Sequence, residues 1–442
     1  MTTAAASSTA TSTASSSPAK NPPTARQSVP KILKPFDNAE VKVLLLEGVN
    51  PTGIKLLEKA GYQVECHSKA LPLEILKEKI KDVHAIGIRS KTQLTAEVLA
   101  EAKKLLVVGC FCIGTNQVDL EYAASQGIAV FNSPFSNSRS VAELMICEII
   151  ALSRQLGDRT TEMHQGMWNK TAKGCNEIRG KTLGIVGYGH IGSQLSVIAD
   201  GLGMFVSFYD IQQIMPLGMA KPVDTLDELL TTADYISLHV PETEETRNMI
   251  GARELKLMKK GSYLLQASRG TVVDIPALAE ALRSGHLGGA AIDVFPVEPF
   301  ANGPNFESEL RGCPNTIITP HIGGSTEEAQ SSIGTEVGSA MVRYINNGTT
   351  QGAVNFPECD LRAPAAESKT VRLLNTHHNV PGVLKAINKI LSDINIEKQI
   401  VDSRGAIAYL MADISVEDVA SYQTIYDRVQ ALPQNIRTRL LY

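Results

Sequence analysis

The stretch Leu183-Gly184-Ile185-Val186-Gly187-Tyr188-Gly189-His190-Ile191-Gly192 constrains this chain more than any other. A short apolar run enters a glycine turn, a helical pattern follows, and a second apolar run (Phe205, Val206, Phe208) ends in Asp210. Each part answers a physical demand. Gly187 makes the tight turn, Gly189 lets backbone approach a pyrophosphate, and Gly192 lets the helix pack on the strand. The amides of His190 and Ile191 open a helix whose N-terminus favours anions. Asp210 stands near the ~20-residue offset at which a carboxylate takes the ribose hydroxyls, and it would repel a 2′-phosphate. A bare glycine pattern also fits a turn in some other α/β protein. The strand before it, the helix after it and the acid at that distance make it a dinucleotide-binding βαβ unit, and the expected cofactor is NAD rather than NADP.

At 442 residues the chain is too long for one ordinary core, so several domains are expected. No uninterrupted apolar run approaches ~18 residues, so no membrane-spanning segment is expected. The formal net charge of -4 gives no footprint for nucleic acid, and any anionic ligand must be held by local positive charge. Seven cysteines, an odd number, fit no disulfide framework. Cys110-x-Cys112 is too tight for the usual zinc pairing, no metal cluster is visible, and the thiols read as reduced, those of a cytoplasmic protein. Residues 1–38 are Ser, Thr, Ala and Pro with scattered basic groups, too poor in large apolar side chains to bury a core, and read as a disordered tail. A mitochondrial presequence is also rich in Ser, but this stretch has few arginines and no clear amphipathic face before Ile32.

Residues 39–138 alternate strand and helix patterns, with strands near 41–46, 86–88, 105–108 and 129–131 and no glycine fingerprint, which suits a substrate-side domain. A helical run from Ser140 to Leu156 carries the chain into the central unit, 139–325. There, strands at Tyr235–Leu238, Tyr263–Gln266, Ala290–Val294 and Thr316–Thr319 complete a doubly wound sheet. A second long helix, Glu327–Asn347, returns the chain to the first domain through 326–357. Residues 358–369 read as a linker, and 370–442 as a separate βαββαβ domain. The expected fold is therefore α/β: a doubly wound nucleotide domain inserted into a smaller parallel α/β domain, with a small domain after them. The cleft between the first two is the natural ligand site.

Three loops at the ends of later strands carry unusual polar groups: Ala267-Ser268-Arg269-Gly270, Phe295-Pro296-Val297-Glu298-Pro299 and Thr319-Pro320-His321-Ile322-Gly323-Gly324. In an open α/β sheet the ligand crevice lies outside those strand ends. Arg269 offers a planar fork for a carboxylate. His321 titrates near working pH and can take a hydroxyl proton as hydride leaves. Glu298, bonded to the other ring nitrogen, would fix the tautomer and raise the histidine pKa. Any one of these alone reads as a surface ion pair or a helix-end group; together, on three strand-end loops, they fit hydride transfer on a 2-hydroxy acid.

The run from Gly187 to Gly192, through Ala267-Ser268-Arg269-Gly270-Thr271-Val272-Val273-Asp274 and Ala291-Ile292-Asp293-Val294-Phe295, to Thr319-Pro320-His321-Ile322-Gly323-Gly324-Ser325-Thr326 resembles the D-isomer-specific 2-hydroxyacid dehydrogenases. The likeness covers about residues 39–442. It implies a Rossmann-type NAD domain and a catalytic trio of Arg269, Glu298 and His321, with His321 as proton donor in the reducing direction. It also implies an NAD site lined by His190, Ile191, Asp210, Ala267, Ser268, Arg269, Asp293 and the turn His321, Ile322, Gly323, Gly324, with Asp293 facing the nicotinamide amide. Within the family the likeness is to the short form that acts on 3-phosphoglycerate at the entry to serine synthesis. Reduction of another 2-oxo acid, such as 2-oxoglutarate, is a variant of the same reading. Arg89 would then face the substrate across the cleft. Lys91 is either a second phosphate ligand or a solvated basic residue, and Asn137 with its neighbours would close the cleft. Gln266 departs from the smaller Asn or Thr usual before Ala-Ser-Arg, and repacking is expected there.

The last domain resembles an ACT domain, a regulatory module that binds amino acids. His377, Asn379 and Asn395 match positions that take serine at a pair of such domains, so serine is the implied allosteric inhibitor; His378 and Val380 depart from the pattern, and one residue is missing before Ile394. A module kept only for assembly is the alternative. The expected assembly is a homo-oligomer, a tetramer. Trp168, the one tryptophan, is either a core plug or an intersubunit contact. A different class of function also stays open, an NAD-sensing scaffold or corepressor on the same fold.

Overall fold

The computed structural model describes residues 37–299, 302–364, 370–415 and 419–442. The tail expected over 1–38 lies almost wholly outside them, as does the end of the linker. Val41, Leu44 and Leu46 are apolar and buried around β1 (Lys42–Leu45), and Asn50 caps α1 (Pro51–Lys59) by accepting from Thr52 N, with Pro51 pre-set for the first turn. The first unit continues as β2 (Gln63–Cys66), α2 (Leu73–Ile80), β3 (Ala85–Ile88), α3 (Ala96–Glu101), β4 (Val107–Cys110), α4 (Leu120–Ser125) and β5 (Ala129–Phe131). Its five strands are parallel in the order β2-β1-β3-β4-β5. The edge strand β2 and helix α2 were not expected, although α2 buries Leu76 and Ile80 at helical spacing. β2 has no fully buried residue, so nothing in its sequence announces a strand.

The crossing helix α5 (Ser138–Ser153) begins two residues earlier and stops sooner than the expected 140–156 run, and a separate helix, α6 (Leu156–His164), follows it. The break is at Gln155, which takes a left-handed φ of 51°. The second unit runs β6 (Thr182–Val186), α7 (His190–Gly201), β7 (Phe205–Tyr209), β8 (Lys221–Pro222), α8 (Leu226–Thr232), β9 (Tyr235–Leu238), α9 (Ala252–Leu257), β10 (Tyr263–Gln266), α10 (Ile275–Arg283), β11 (Gly289–Ile292) and β12 (Thr316–Ile318). Its sheet is parallel, ordered β12-β11-β10-β9-β6-β7-β8, so the strand order reverses between β6 and β9. That switch point opens the crevice directly above the glycine turn.

Helix α11 (Glu327–Asn347) returns the chain to the first unit, capped at its start by Thr326 and stopped by Gly348 at φ 77°. The C-terminal unit is β13 (Thr370–His378), α12 (Val383–Ile390), β14 (Asn395–Arg404), β15 (Ile407–Ser415), α13 (Val419–Gln430) and β16 (Asn435–Leu441), an antiparallel sheet ordered β14-β15-β13-β16. One face of this sheet carries its own helices. The other shares a core with the first unit, where Leu374, Tyr409, Met411 and Leu441 pack with Phe131, Val337, Met341 and Phe356. Arg372, wholly buried, reinforces the joint. It pairs in fork geometry with Asp413 (2.6 and 2.8 Å) and donates to Asn347 O, Leu361 O and Arg362 O. Arg439 donates to Ile345 O (2.6 Å), so the last carbonyls of α11 are taken by cations of the C-terminal unit. Trp168 is 81% exposed, which removes the core-plug reading. Among the described residues, no helix is long and apolar enough to cross a membrane.

Candidate active site

The glycine turn is built as its sequence demands. Gly187 takes φ 89°, and a Cβ there would lie 2.7 Å from the His239 carbonyl. A Cβ on Gly192 would come within 2.3 Å of Gly187 O, so α7 can sit on β6 only without one. A Cβ on Gly189 would meet nothing within 4 Å; the backbone there faces open space, as a pyrophosphate requires. The N-terminus of α7 has no side-chain cap, so the His190 and Ile191 amides remain for an anion. Asp210 directly follows β7 and accepts from Tyr188 N (2.7 Å) and Gln212 N (2.9 Å), standing partly exposed beside the turn. Cradle, helix start and acid together fit NAD.

Loops after β10, β11 and β12 meet beyond this cradle. His321 Nδ1 lies 2.8 Å from Glu298 Oε2, and Glu298 Oε1 accepts from Phe295 N (3.1 Å). Because the carboxylate can only accept, Nδ1 carries the proton and Nε2 stays available. The hydrogen bond to Glu298 raises the His321 pKa against the opposing effect of its partial burial. Burial alone would raise Glu298, but the bonds from His321 and Phe295 outweigh it and hold the carboxyl below its usual range. Arg269 donates to Ser268 O (2.7 Å) and is paired with no carboxylate among the described residues.

The imidazole itself sits on a strained turn, since His321 has φ 53°. Asp293, 1% exposed, explains why the turn persists. Its Oδ1 accepts from Thr319 Oγ1 (2.6 Å) and Ile322 N (2.8 Å), and its Oδ2 from Gly323 N (2.8 Å). The carboxylate expected to face the nicotinamide amide is thus also the anchor of the histidine loop. Gln266 has a comparable task. Fully buried as the last residue of β10, it accepts from Ser268 N and Oγ (3.0 and 2.6 Å) and donates to Arg269 O (2.8 Å). The longer side chain brackets the Ala267–Arg269 turn, which goes beyond the repacking expected from its size.

Across the cleft a cavity of about 390 Å³ is lined from both units. Arg89, Cys112 and Asn116 come from the first, Arg269, His321 and Ser325 from the second, with Asn137 between them. Arg89 also has no carboxylate partner among the described residues. Lys91 is not on this lining: its backbone is tied to Glu47 and its side chain is exposed. Asn137 is buried, with Oδ1 unpartnered. Gln330 and Ile333 of α11 also reach the cavity, and no motif or spacing in the chain marks them. In the C-terminal unit, His377 is buried and hydrogen-bonded to Asn375 (2.8 Å), while Asn379 is exposed. His377 aligns with Ala408 and Ser403, whereas Asn395 aligns with Ser415, so within one chain they stand about 26 Å apart along the sheet.

Residues 146–323 match the family model of the D-isomer specific 2-hydroxyacid dehydrogenase NAD binding domain. The chain is 59% identical over 422 residues to D-3-phosphoglycerate dehydrogenase 1 of Saccharomyces cerevisiae, covering 93% of this chain and 90% of the relative. To D-3-phosphoglycerate dehydrogenase of Escherichia coli (strain K12) it is 52% identical over 411 residues, with 92% and 99% covered. The NAD-complexed D-isomer specific 2-hydroxyacid dehydrogenase from Lactobacillus delbrueckii ssp. bulgaricus superposes with a TM-score of 0.64 at 26% identity, covering 71% of this chain and all of that one. The chain belongs to the D-isomer-specific 2-hydroxyacid dehydrogenases, NAD-dependent oxidoreductases, and within them to the D-3-phosphoglycerate dehydrogenases.

Proposed function

We propose that this chain oxidises 3-phospho-D-glycerate to 3-phosphooxypyruvate with NAD, the reaction that opens serine synthesis. The observation that carries the reading is the cavity joining Arg89 and Arg269, two guanidiniums without carboxylate partners among the described residues, to His321. A substrate with a carboxylate at one end and a phosphate at the other needs cations at two separated points, and a net-negative chain must supply them locally. Arg269 forks the carboxylate and carbinol oxygen, and Arg89 meets the phosphate. His321 Nε2 takes the hydroxyl proton, and Glu298 stabilises the imidazolium that forms. The strained Asp293-anchored turn holds the ring before substrate arrives, so its orientation entropy is already spent. Bound along the Gly187–Gly192 cradle, NAD supplies the hydride acceptor.

The same arrangement admits 2-oxoglutarate in the reducing direction, its distal carboxylate meeting Arg89 in place of the phosphate. Serine is the inhibitor we assign to the C-terminal unit. The ~26 Å between His377 and Asn395 means these residues converge only if two chains pair their sheets, so inhibition requires at least a dimer, and the full assembly we assign is a tetramer. Purified protein with phosphooxypyruvate should consume NADH, His321→Ala should cut kcat by about 10²-fold or more, and millimolar serine should slow the parent enzyme. A His321→Ala enzyme at parental rate would sink the mechanism. Tight NADH binding without turnover on any 2-oxo acid would favour a sensing scaffold.

A further inference from the structure

The Arg89 turn is gripped from two sides by residues distant in sequence. Directly after β1, Glu47 accepts from Thr92 N at Oε1 (2.7 Å) and from Lys91 N at Oε2 (2.9 Å), so both carboxylate oxygens are occupied by consecutive amides. On the other side Gln117, 3% exposed, donates from Nε2 to Arg89 O (2.7 Å) and to Gly114 O (3.1 Å). Glu47 itself takes φ 66°, in the left-handed region that non-glycine residues seldom adopt. Backbone of this kind persists only where its surroundings over-determine it, and it gathers at ligand clamps. A carboxylate near an arginine meant for an anion is, by its field alone, adverse. Its position is explained if its hydrogen bonds outweigh that field.

We propose that Glu47 and Gln117 are positioning residues, which fix the backbone of residues 89–92 and so aim Arg89 into the cavity at the substrate's phosphate. The proposal rests on the reading of Arg89 given above. Rigid presentation removes the ordering cost the loop would otherwise meet on binding, which lowers KM for phosphorylated substrate selectively. Two opposite effects then separate the roles of Glu47. If only its charge mattered, Glu47→Gln would tighten phosphate binding. If it holds the turn, the same change loosens it, because the NH2 that replaces one carboxylate oxygen can only donate and so confronts one of the two N–H groups with a second donor.

The test compares steady-state KM for phosphooxypyruvate with that for hydroxypyruvate, the same oxo acid without its phosphate. NADH affinity serves as the control for folding. Glu47→Gln should raise KM for the phosphorylated substrate about tenfold, the scale of one charge-assisted contact, and that for hydroxypyruvate far less. In an Arg89→Ala background it should add under about twofold, since coupled residues are not additive. A lower or equal KM in Glu47→Gln, or an equal rise for both substrates, overturns the proposal. If Arg89→Ala leaves KM for phosphooxypyruvate unaltered, the Arg89 reading itself fails. If Arg89→Ala raises it and Glu47→Gln does not, only the positioning role fails. Should Glu47→Gln lose NADH binding, Gln117→Met puts the same question from the other side of the turn, and an unselective effect there rejects the proposal.

Discussion

Gly270 is where two of the site's loops touch, and substituting it gives a sharp test of how finely they must be aligned. A Cβ at this position would lie 2.0 Å from both Phe295 C and Phe295 O, and 2.5 Å from Pro296 N. All three are backbone atoms, so no side chain can swing aside. Restoring ordinary contact, about 3.4 Å or more, requires the loops to separate by more than about an ångström. One loop carries Arg269; the other carries Glu298, through which His321 is oriented. A misplacement of about 1 Å at reacting groups costs ~10²-fold in rate. The overpacking itself costs about 1–3 kcal/mol, which lowers Tm by only a few degrees in a protein of this size. Gly270→Ala should therefore stay folded and lose about 100-fold in kcat/KM for phosphooxypyruvate. The assay is NADH consumption at saturating cofactor, with NADH affinity measured alongside to separate misalignment from a lost cofactor site. An alanine enzyme within about threefold of the parent would refute the claim that the backbone contact between these loops sets the catalytic geometry.

Two further outcomes follow from the same site. Reduction needs His321 protonated and oxidation needs it neutral. With its pKa raised by Glu298, reduction should hold to higher pH than a free imidazole near 6.5 allows, and oxidation should develop only as pH rises through the raised value. Glu298→Gln removes the raising charge and should move both limbs of the kcat/KM profile to lower pH; superimposable profiles would contradict the pairing. Asp210→Ala should weaken NAD binding by about 10–100-fold, the worth of hydrogen bonds to a charged group, and narrow the preference over NADP. A calorimetric titration showing undiminished NAD affinity would remove Asp210 from the ribose site.

What the sequence made legible was whatever rests on short, fixed offsets. Gly187, Gly189, Gly192 and Asp210 belong to one βαβ unit, and the Arg269, Glu298 and His321 loops each follow a strongly apolar strand, so position along the chain implied position in space. Elements without a buried face escaped notice: β2 has no fully buried residue, and α6 buries none. Supporting residues were hidden for another reason. Glu47 and Gln117 act on Arg89 from 42 and 28 residues away, and Asp293 on Gly323 from 30, so only the closed fold reveals the task. Arg372 is the extreme case. An arginine inside a strand reads as solvent-facing, yet its guanidinium is sealed in the joint between two units by Asp413 and three carbonyls. Gln266 carried a visible signal, its unusual length, but only the structure gave that length a use.

Helix α11 has 21 residues and spans about 31 Å. Near its start, Gln330 and Ile333 form part of the substrate cavity; at its end, the carbonyls of Ile345 and Asn347 are grasped by Arg439 and Arg372. A helix of that length is a lever whose long arm ends beside the reacting atoms. A tilt of about 2° imposed at the gripped end sweeps the far end through about an ångström, the scale on which orientation decides rate. The gearing is mechanical and works in both directions. A ligand at one end whose affinity depended on that tilt would, by linkage, alter affinity at the other by the same factor.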